Sequence, residues 1–112
     1  MALSYTKRSL SESTNGKSIL VVATATQGTL IHTAVSGTTN LDEIWLYAVN
    51  SSGSPLKLTI EWGEVAAPDG NIEVPIPGEG GLILVIPGLL LQNSLEVRAF
   101  CASANIVCIQ GY

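Results

Sequence analysis

The chain has 112 residues and a formal net charge of −4, and only 12% of its residues are charged. This length fits a single domain with a core of its own, and the charged share is roughly half of the usual value of about 25%. An acidic chain without clustered Lys and Arg argues against nucleic acid as the principal partner. The scarcity of charge favours a surface that other subunits cover; the alternative is a polar surface rich in Ser, Thr and Asn.

The first 16 residues are polar, contain the run SESTNG and show no sustained period. They predict an N-terminal arm or disordered leader, residues 1–16, ahead of one β-sandwich domain, residues 17–112. Residues 1–17 carry three bases and one acid, a formal +2, whereas residues 18–112 carry two bases and eight acids, a formal −6. The basic arm either docks on an acidic neighbour or is simply solvated.

No signal peptide is predicted, because no apolar stretch follows the first basic residues. The longest apolar run, residues 82–91, is interrupted by Pro87 and Gly88. It is much shorter than the roughly 20 residues of a membrane-spanning helix. We therefore expect a soluble protein that is made in a cytoplasm and has no membrane partner.

Eight short strand signals follow the arm, separated by turns rich in Gly, Pro, Ser and Asn. No stretch shows a convincing 3.6-residue apolar period, and the sixth strand is predicted to end at Pro87-Gly88. This pattern predicts an all-β fold, a compact β-sandwich or jelly roll of about eight antiparallel strands with an extended N-terminal arm. The strands are predicted at 18–26, 29–35, 43–50, 56–62, 71–76, 82–86, 94–101 and 106–110.

Residues 41–63, LDEIWLYAVNSSGSPLKLTIEWG, predict a β-hairpin with its turn at residues 51–55. Because side chains alternate between the two faces of a strand, the hairpin separates the two tryptophans. Trp62 is expected in the core opposite Ile44, and Trp45 is expected on the other face beside Glu61. The inward set is Ile44, Leu46, Ala48, Leu56, Leu58, Ile60 and Trp62, and the outward set is Trp45, Tyr47, Val49, Lys57, Thr59 and Glu61.

Trp45 and Tyr47 are the candidate contact residues of that outer face. Aromatic residues are favoured anchors of protein interfaces, and this role is the preferred one. The same two rings could instead stack on sugars, as in carbohydrate-binding modules, or support an adjoining loop or arm.

Catalytic patterns are missing from the sequence. His32, the only histidine, has no acid or cysteine nearby in the sequence, so a structural or surface role is favoured over a catalytic triad. The loop at residues 78–81 precedes a strand and lacks the Lys of a phosphate-binding loop. We predict no enzyme activity, no catalytic or cofactor-binding residue, no cofactor and no metal site. Four glutamates could supply a glycosidase-type pair, but nearly any acidic β-protein offers as many: Glu43, Glu61, Glu73 and Glu96.

The two cysteines, Cys101 and Cys108, flank a short turn. A tight hairpin there would place them opposite one another, at a spacing that permits a cross-strand disulfide. A cytosolic origin favours buried free thiols instead. Two cysteines without further ligands do not make a metal site.

Three runs carry a resemblance to a known class of protein. They are TLIHTAVSGTTNLDEIWLYAVNSSGSPLKLTIEWG, PDGNIEVPIP and GGLILVIPGLLLQNSLEVRAFCASANIVCIQGY. Over about residues 30–112, the sequence resembles small virion structural proteins of tailed bacteriophages, especially capsid cement or decoration proteins.

The resemblance implies a non-enzymatic protein on the capsid exterior, made in the host cytoplasm. It implies binding to the major capsid protein and self-association, with a trimer as the expected oligomer. Terminal arms grip neighbours in such families, which makes Tyr5, Lys7 and Arg8 candidate contacts. The alternative is a carbohydrate-binding or receptor-recognition module of a tail or fibre built on the same sandwich.

Overall fold

The computed structural model describes residues 6–112, and Tyr5 lies outside the described part. Within that part, eight strands form two four-stranded antiparallel sheets, and no helix is long and apolar enough to cross a membrane. The strands are β1 (Ile19–Leu20), β2 (Thr29–Thr33), β3 (Asp42–Asn50), β4 (Leu56–Trp62), β5 (Asn71–Ile76), β6 (Ile83–Leu91), β7 (Glu96–Cys101) and β8 (Val107–Gly111).

The two sheets have the strand order of a jelly roll. The first sheet runs β1-β8-β3-β6 and the second runs β2-β7-β4-β5. Among these strands, β4 and β5 are the only consecutive pair that lies side by side, so the chain crosses repeatedly between the sheets. The predicted all-β sandwich is confirmed, and the order of its strands is that of the eight-stranded double-sheet jelly roll.

The core lies between the sheets, where alternate residues of each strand point inward. On β3, Ile44, Leu46 and Ala48 are buried while Trp45 and Tyr47 are half-buried on the other side. The predicted separation of these faces is confirmed. The expected core residue Trp62 is half-buried and packs against the core.

The predicted hairpin at residues 41–63 is wrong, because β3 and β4 belong to different sheets. The turn between them passes from one sheet to the other. Asn50 explains the crossing: its buried side chain donates to the carbonyls of Ser54, at 2.9 Å, and of Ile76, at 3.0 Å. Its Oδ1 also accepts from the backbone N–H of Ser52. This side chain ties the end of β3 to the end of β5 across the sandwich.

The predicted hairpin around the cysteines is also wrong. Strands β7 and β8 lie in different sheets, so Cys101 pairs with Leu58 and Cys108 pairs with Val49. Both thiols are free, and Cys101 is buried. The favoured prediction of free thiols is confirmed, and Cys108 is half-buried rather than buried.

Strand β6 continues through Pro87-Gly88, where a break was expected. Gly88 has a φ of +78°, and the pairing of β6 with β3 shifts its register between Ile44 and Trp45. A bulge of this kind absorbs the irregular backbone within a continuous strand. The first strand is shorter than the predicted 18–26, since β1 ends at Leu20.

Part of the predicted arm packs against the sandwich. Leu10 is 1% exposed and belongs to the core. The backbone N–H of Thr33 donates to Ser11 Oγ at 2.8 Å, and the N–H of Glu12 approaches the carbonyl of Ile31 at 3.4 Å. The expectation of a disordered leader is therefore wrong for residues 10–12, which lie along β2.

Candidate functional site

The outward side of the first sheet forms the candidate contact surface. Residues that pair across neighbouring strands share a face, so the pairings of β1, β8, β3 and β6 define its members. We call this surface the apolar face. Its residues are Leu20, Glu43, Trp45, Tyr47, Val49, Leu84, Pro87, Leu90, Cys108 and Gln110.

The apolar face is exposed and almost uncharged. Leu20, Leu84 and Leu90 are 43%, 45% and 55% exposed, whereas Glu43 is the only ionisable carboxylate among its residues. Tyr47 lies between Leu84 of β6 and Gln110 of β8. Contiguous apolar surface of this kind marks an interaction site.

The outward side of the second sheet differs in chemistry. It carries an ion pair between Lys57 and Glu73, at 3.2 Å, and another between Arg98 and Glu96, at 2.9 Å. This is the polar alternation expected of a sheet face in water. Two ion pairs therefore lie on the outward side of the second sheet, and, in the described part of the chain, no ion pair lies among the residues of the apolar face.

Trp45 is fixed on the apolar face by three neighbours. Its Nε1 donates to Glu43 Oε2 at 2.7 Å, and its backbone N–H and C=O bond to Tyr112. A Cβ on Gly88 would lie 2.8 Å from Trp45 Cζ2, so the indole ring occupies the space that glycine leaves open. An anchor that is already immobilised loses little conformational entropy when it is buried.

The open edge of β6 is blunted by Pro87. Because Trp45 directs its backbone N–H and C=O toward Tyr112, its pairing with Pro87 is not a hydrogen-bonded one. The Pro87 nitrogen consequently faces the open edge, where its missing N–H removes a ladder donor. Such an edge resists extension by another strand, and contact is left to the face.

A polar cluster around His32 and Asp42 bridges the two sheets. The N–H of Ser11 donates to His32 Nδ1 at 2.9 Å, and His32 Nε2 lies 2.9 Å from Asp42 Oδ2. Since Nδ1 accepts a hydrogen bond, Nε2 carries the hydrogen and donates to the carboxylate. Asp42 also accepts from the N–H of Val35, at 3.0 Å, and pairs with Arg8.

Burial would raise the pKa of Asp42, but the hydrogen bond from His32, the charge of Arg8 and the bond from Val35 outweigh it and hold the pKa below its ordinary value of 3.8. Both ring nitrogens of His32 are engaged, and Ser11 Oγ accepts from Thr33 instead of facing the ring. The cluster therefore acts as a clamp that holds residues 8–11 against β2 and β3. Its members Arg8, His32 and Asp42 line a cleft of about 510 Å³ together with Leu41, Leu90 and Tyr112.

The two described arm residues predicted as contacts both touch their own chain. Arg8 pairs with Asp42, and the Lys7 ammonium lies 5.1 Å from the centre of the Tyr112 ring. Trp45 and Tyr47 share the apolar face, as predicted, and Arg8 lines a cleft together with Glu43 and Leu90 of that face. Tyr5 lies outside the described residues.

Glu61 was missed by sequence reasoning. Predicted to be on a solvated face, it is fully buried and accepts from Thr26 Oγ1, at 2.8 Å, and from the N–H of Gly28, at 2.7 Å. Arg98 donates to the carbonyl of Gly28 at 3.0 Å. These bonds hold the connection between β1 and β2 over the second sheet. The donors lie 35 and 33 residues from Glu61 in the chain, so no local signal identifies them.

No group of three or more His, Cys, Asp or Glu residues within 6–112 is arranged to hold a metal ion. No family model matches the chain, and no match is found among curated proteins or solved structures. The functional argument therefore depends on the geometry of the apolar face and on the resemblance of the sequence.

Proposed function

We propose that the chain is a non-enzymatic structural protein of a bacteriophage virion, of the capsid cement or decoration type. In this role it binds the exterior of a shell of major capsid protein, as a homo-oligomer, after synthesis in the host cytoplasm. The observation that supports the proposal is the apolar face, which is exposed, nearly uncharged and carries Trp45 and Tyr47.

The energetics of this face suit a protein that works in many copies. Burying the exposed half of a leucine side chain contributes roughly 1 kcal/mol, so Leu20, Leu84 and Leu90 together provide a few kcal/mol per copy. A single contact of that size is weak. Linked contacts on a symmetric shell add up without new interactions at any one site.

The fold is compatible with this role without specifying it. Double-sheet jelly rolls occur in viral capsid proteins and in lectins. The fold therefore supports a virion role only by analogy, and the proposal depends on the chemistry of the apolar face. The same analogy admits a second candidate function.

That second candidate is a carbohydrate-binding or receptor-recognition module of a tail or fibre. It is supported by the neighbouring Trp45 ring and Glu43 carboxylate, an aromatic surface beside a hydrogen-bond acceptor. The double variant Trp45→Ala, Tyr47→Ala separates the two functions. Loss of glycan binding with assembly intact would favour the module, and loss of assembly or of shell binding would favour the cement protein.

The direct test is co-sedimentation with shells assembled from the major capsid protein that the same genome encodes. We expect the chain to pellet with the shells, and we expect the double variant to pellet less. Phe100→Ala is the matched control, because Phe100 is a half-buried aromatic residue on the outward side of the second sheet. A chain that stays monomeric and remains in the supernatant would contradict the proposal.

A further inference from the structure

We propose that the apolar face binds the apolar face of a second copy of this chain, around a twofold axis near Tyr47. The inference rests on the proposed function and assigns the apolar face to the contact between copies of the homo-oligomer. It is carried by the distribution of charge, by the blunted edge of β6 and by the area of the face.

The distribution of charge permits two acidic chains to meet at this face. Stacked sheets lie about 10 Å apart, so the charged sides of the two second sheets would be separated by about 30 Å. In salt, the interaction between charges decays over about 8–10 Å, so the repulsion between the two second sheets is small. Glu43 and Tyr47 lie four residues apart on β3, and an axis that crosses β3 at a right angle near Tyr47 would place the two Glu43 side chains roughly 26 Å apart.

The chemistry of the face favours an apolar partner. A charged partner would lose hydration against Leu84, Leu90 and Val49 without gaining a counter-charge. A second copy supplies an apolar, nearly uncharged surface of the same size. An isologous pair also matches each residue of the face to a residue of the same set.

The blunted edge of β6 disfavours edge-to-edge pairing at that strand. Pairing of two β6 edges would require donors that Pro87 lacks at the centre of the strand. Packing of one sheet on another needs no donor at the edge. The Trp45 ring, already fixed against Gly88, is available for such packing.

The area of the face predicts a reversible dimer. Strands of 2, 5, 9 and 9 residues form the first sheet. With about 3.3 Å per residue and about 4.8 Å between strands, they span about 400 Å² in each copy. The pair buries about 800 Å², and the exposed Leu41, Leu82 and Tyr112 at the margins bring it to the threshold of about 1,000 Å² for a specific interface.

The test is sedimentation velocity of the full chain across a range of concentrations. We expect a monomer–dimer equilibrium in which the dimer fraction rises with concentration. Leu84→Lys places a charge directly beside Tyr47, close to the proposed axis, and should reduce the dimer constant at least tenfold. Leu95→Lys is the control, because Leu95 has nearly the same exposure, 43% against 45%, and lies in the turn before β7. It should leave the equilibrium unchanged.

Three results would overturn the dimer. They are a chain that is monomeric at about 1 mM, where weak dimers are populated, a trimer without a dimer, and equal dimerisation of Leu84→Lys and of the unaltered chain. The co-sedimentation test with shells can fail independently of the dimer test. A monomer that pellets with shells refutes the dimer alone, whereas a dimer that ignores shells supports the pairing and refutes the virion role.

Discussion

Replacing Glu61 by Ala should destabilise the fold strongly although this residue occupies an outward position on β4. The substitution removes the acceptor of two hydrogen bonds, from Thr26 and from Gly28, and leaves a buried N–H without a partner. Hydrogen bonds to a charged group contribute about 1.5–3 kcal/mol each. Because the two bonds share one carboxylate and are not additive, we expect a loss of about 3 kcal/mol.

Glu61→Gln should lose much less, about 1 kcal/mol, because a carboxamide oxygen can still accept from Gly28 and its NH₂ can donate to the Thr26 hydroxyl. The control is Glu73→Ala, on the same side of the second sheet, where the side chain is 54% exposed and pairs only with Lys57. Exposed pairs contribute about 0–1 kcal/mol. Urea unfolding measures all three variants, and equal effects of Glu61→Ala and Glu73→Ala would refute the reasoning.

Three further substitutions test other parts of the structure. The pKa of Asp42 is held below 3.8, so its contribution to stability is present above that pH and is lost as the pH falls through the lower pKa of the folded state. Asp42→Asn should abolish this loss when urea unfolding is measured between about pH 5 and pH 2.5. The same dependence of the free energy of unfolding on pH in the variant and the unaltered chain would contradict this prediction. Gly88→Ala should lower stability and shift the Trp45 indole N–H resonance. Gly37→Ala has the same φ of +78° and therefore the same backbone strain, but nothing lies within 4 Å of the added Cβ, so it should leave the resonance in place. A resonance that does not move in Gly88→Ala would count against the packing of Trp45 on Gly88. Leu10→Ala should lower the free energy of unfolding by about 3 kcal/mol and Leu20→Ala, 43% exposed, by less than about 1 kcal/mol; similar losses would show that residue 10 does not belong to the core.

The sequence was sufficient for the number of strands and for their positions, apart from the lengths of β1 and β6, because alternation and turn residues are local properties. Strands β4 and β5 lie where they were predicted, and the inward set of β3 is buried as expected. The partner of each strand was not predictable in this way. A turn that closes a hairpin and one that crosses between sheets follow the same alternation. The crossing is held by distant contacts, among them the bonds of the Asn50 side chain to the carbonyls of Ser54 and Ile76.

The polar sites illustrate the same limit of local information. Glu61 has the alternation of an exposed residue, and its burial results from a distant segment that covers it. His32 and Asp42 are ten residues apart on strands of opposite sheets, and neither strand predicts the other's position. The aromatic pair Trp45 and Tyr47 was found from sequence because it depends only on the two-residue period of β3.

Electron cryomicroscopy of capsid shells incubated with the chain tests the central claim most directly. The account predicts ordered density for the chain on the outside of the shell, with Trp45 and Tyr47 buried in a protein contact. Shells without added density, or attached chains whose apolar face points to solvent, would contradict it.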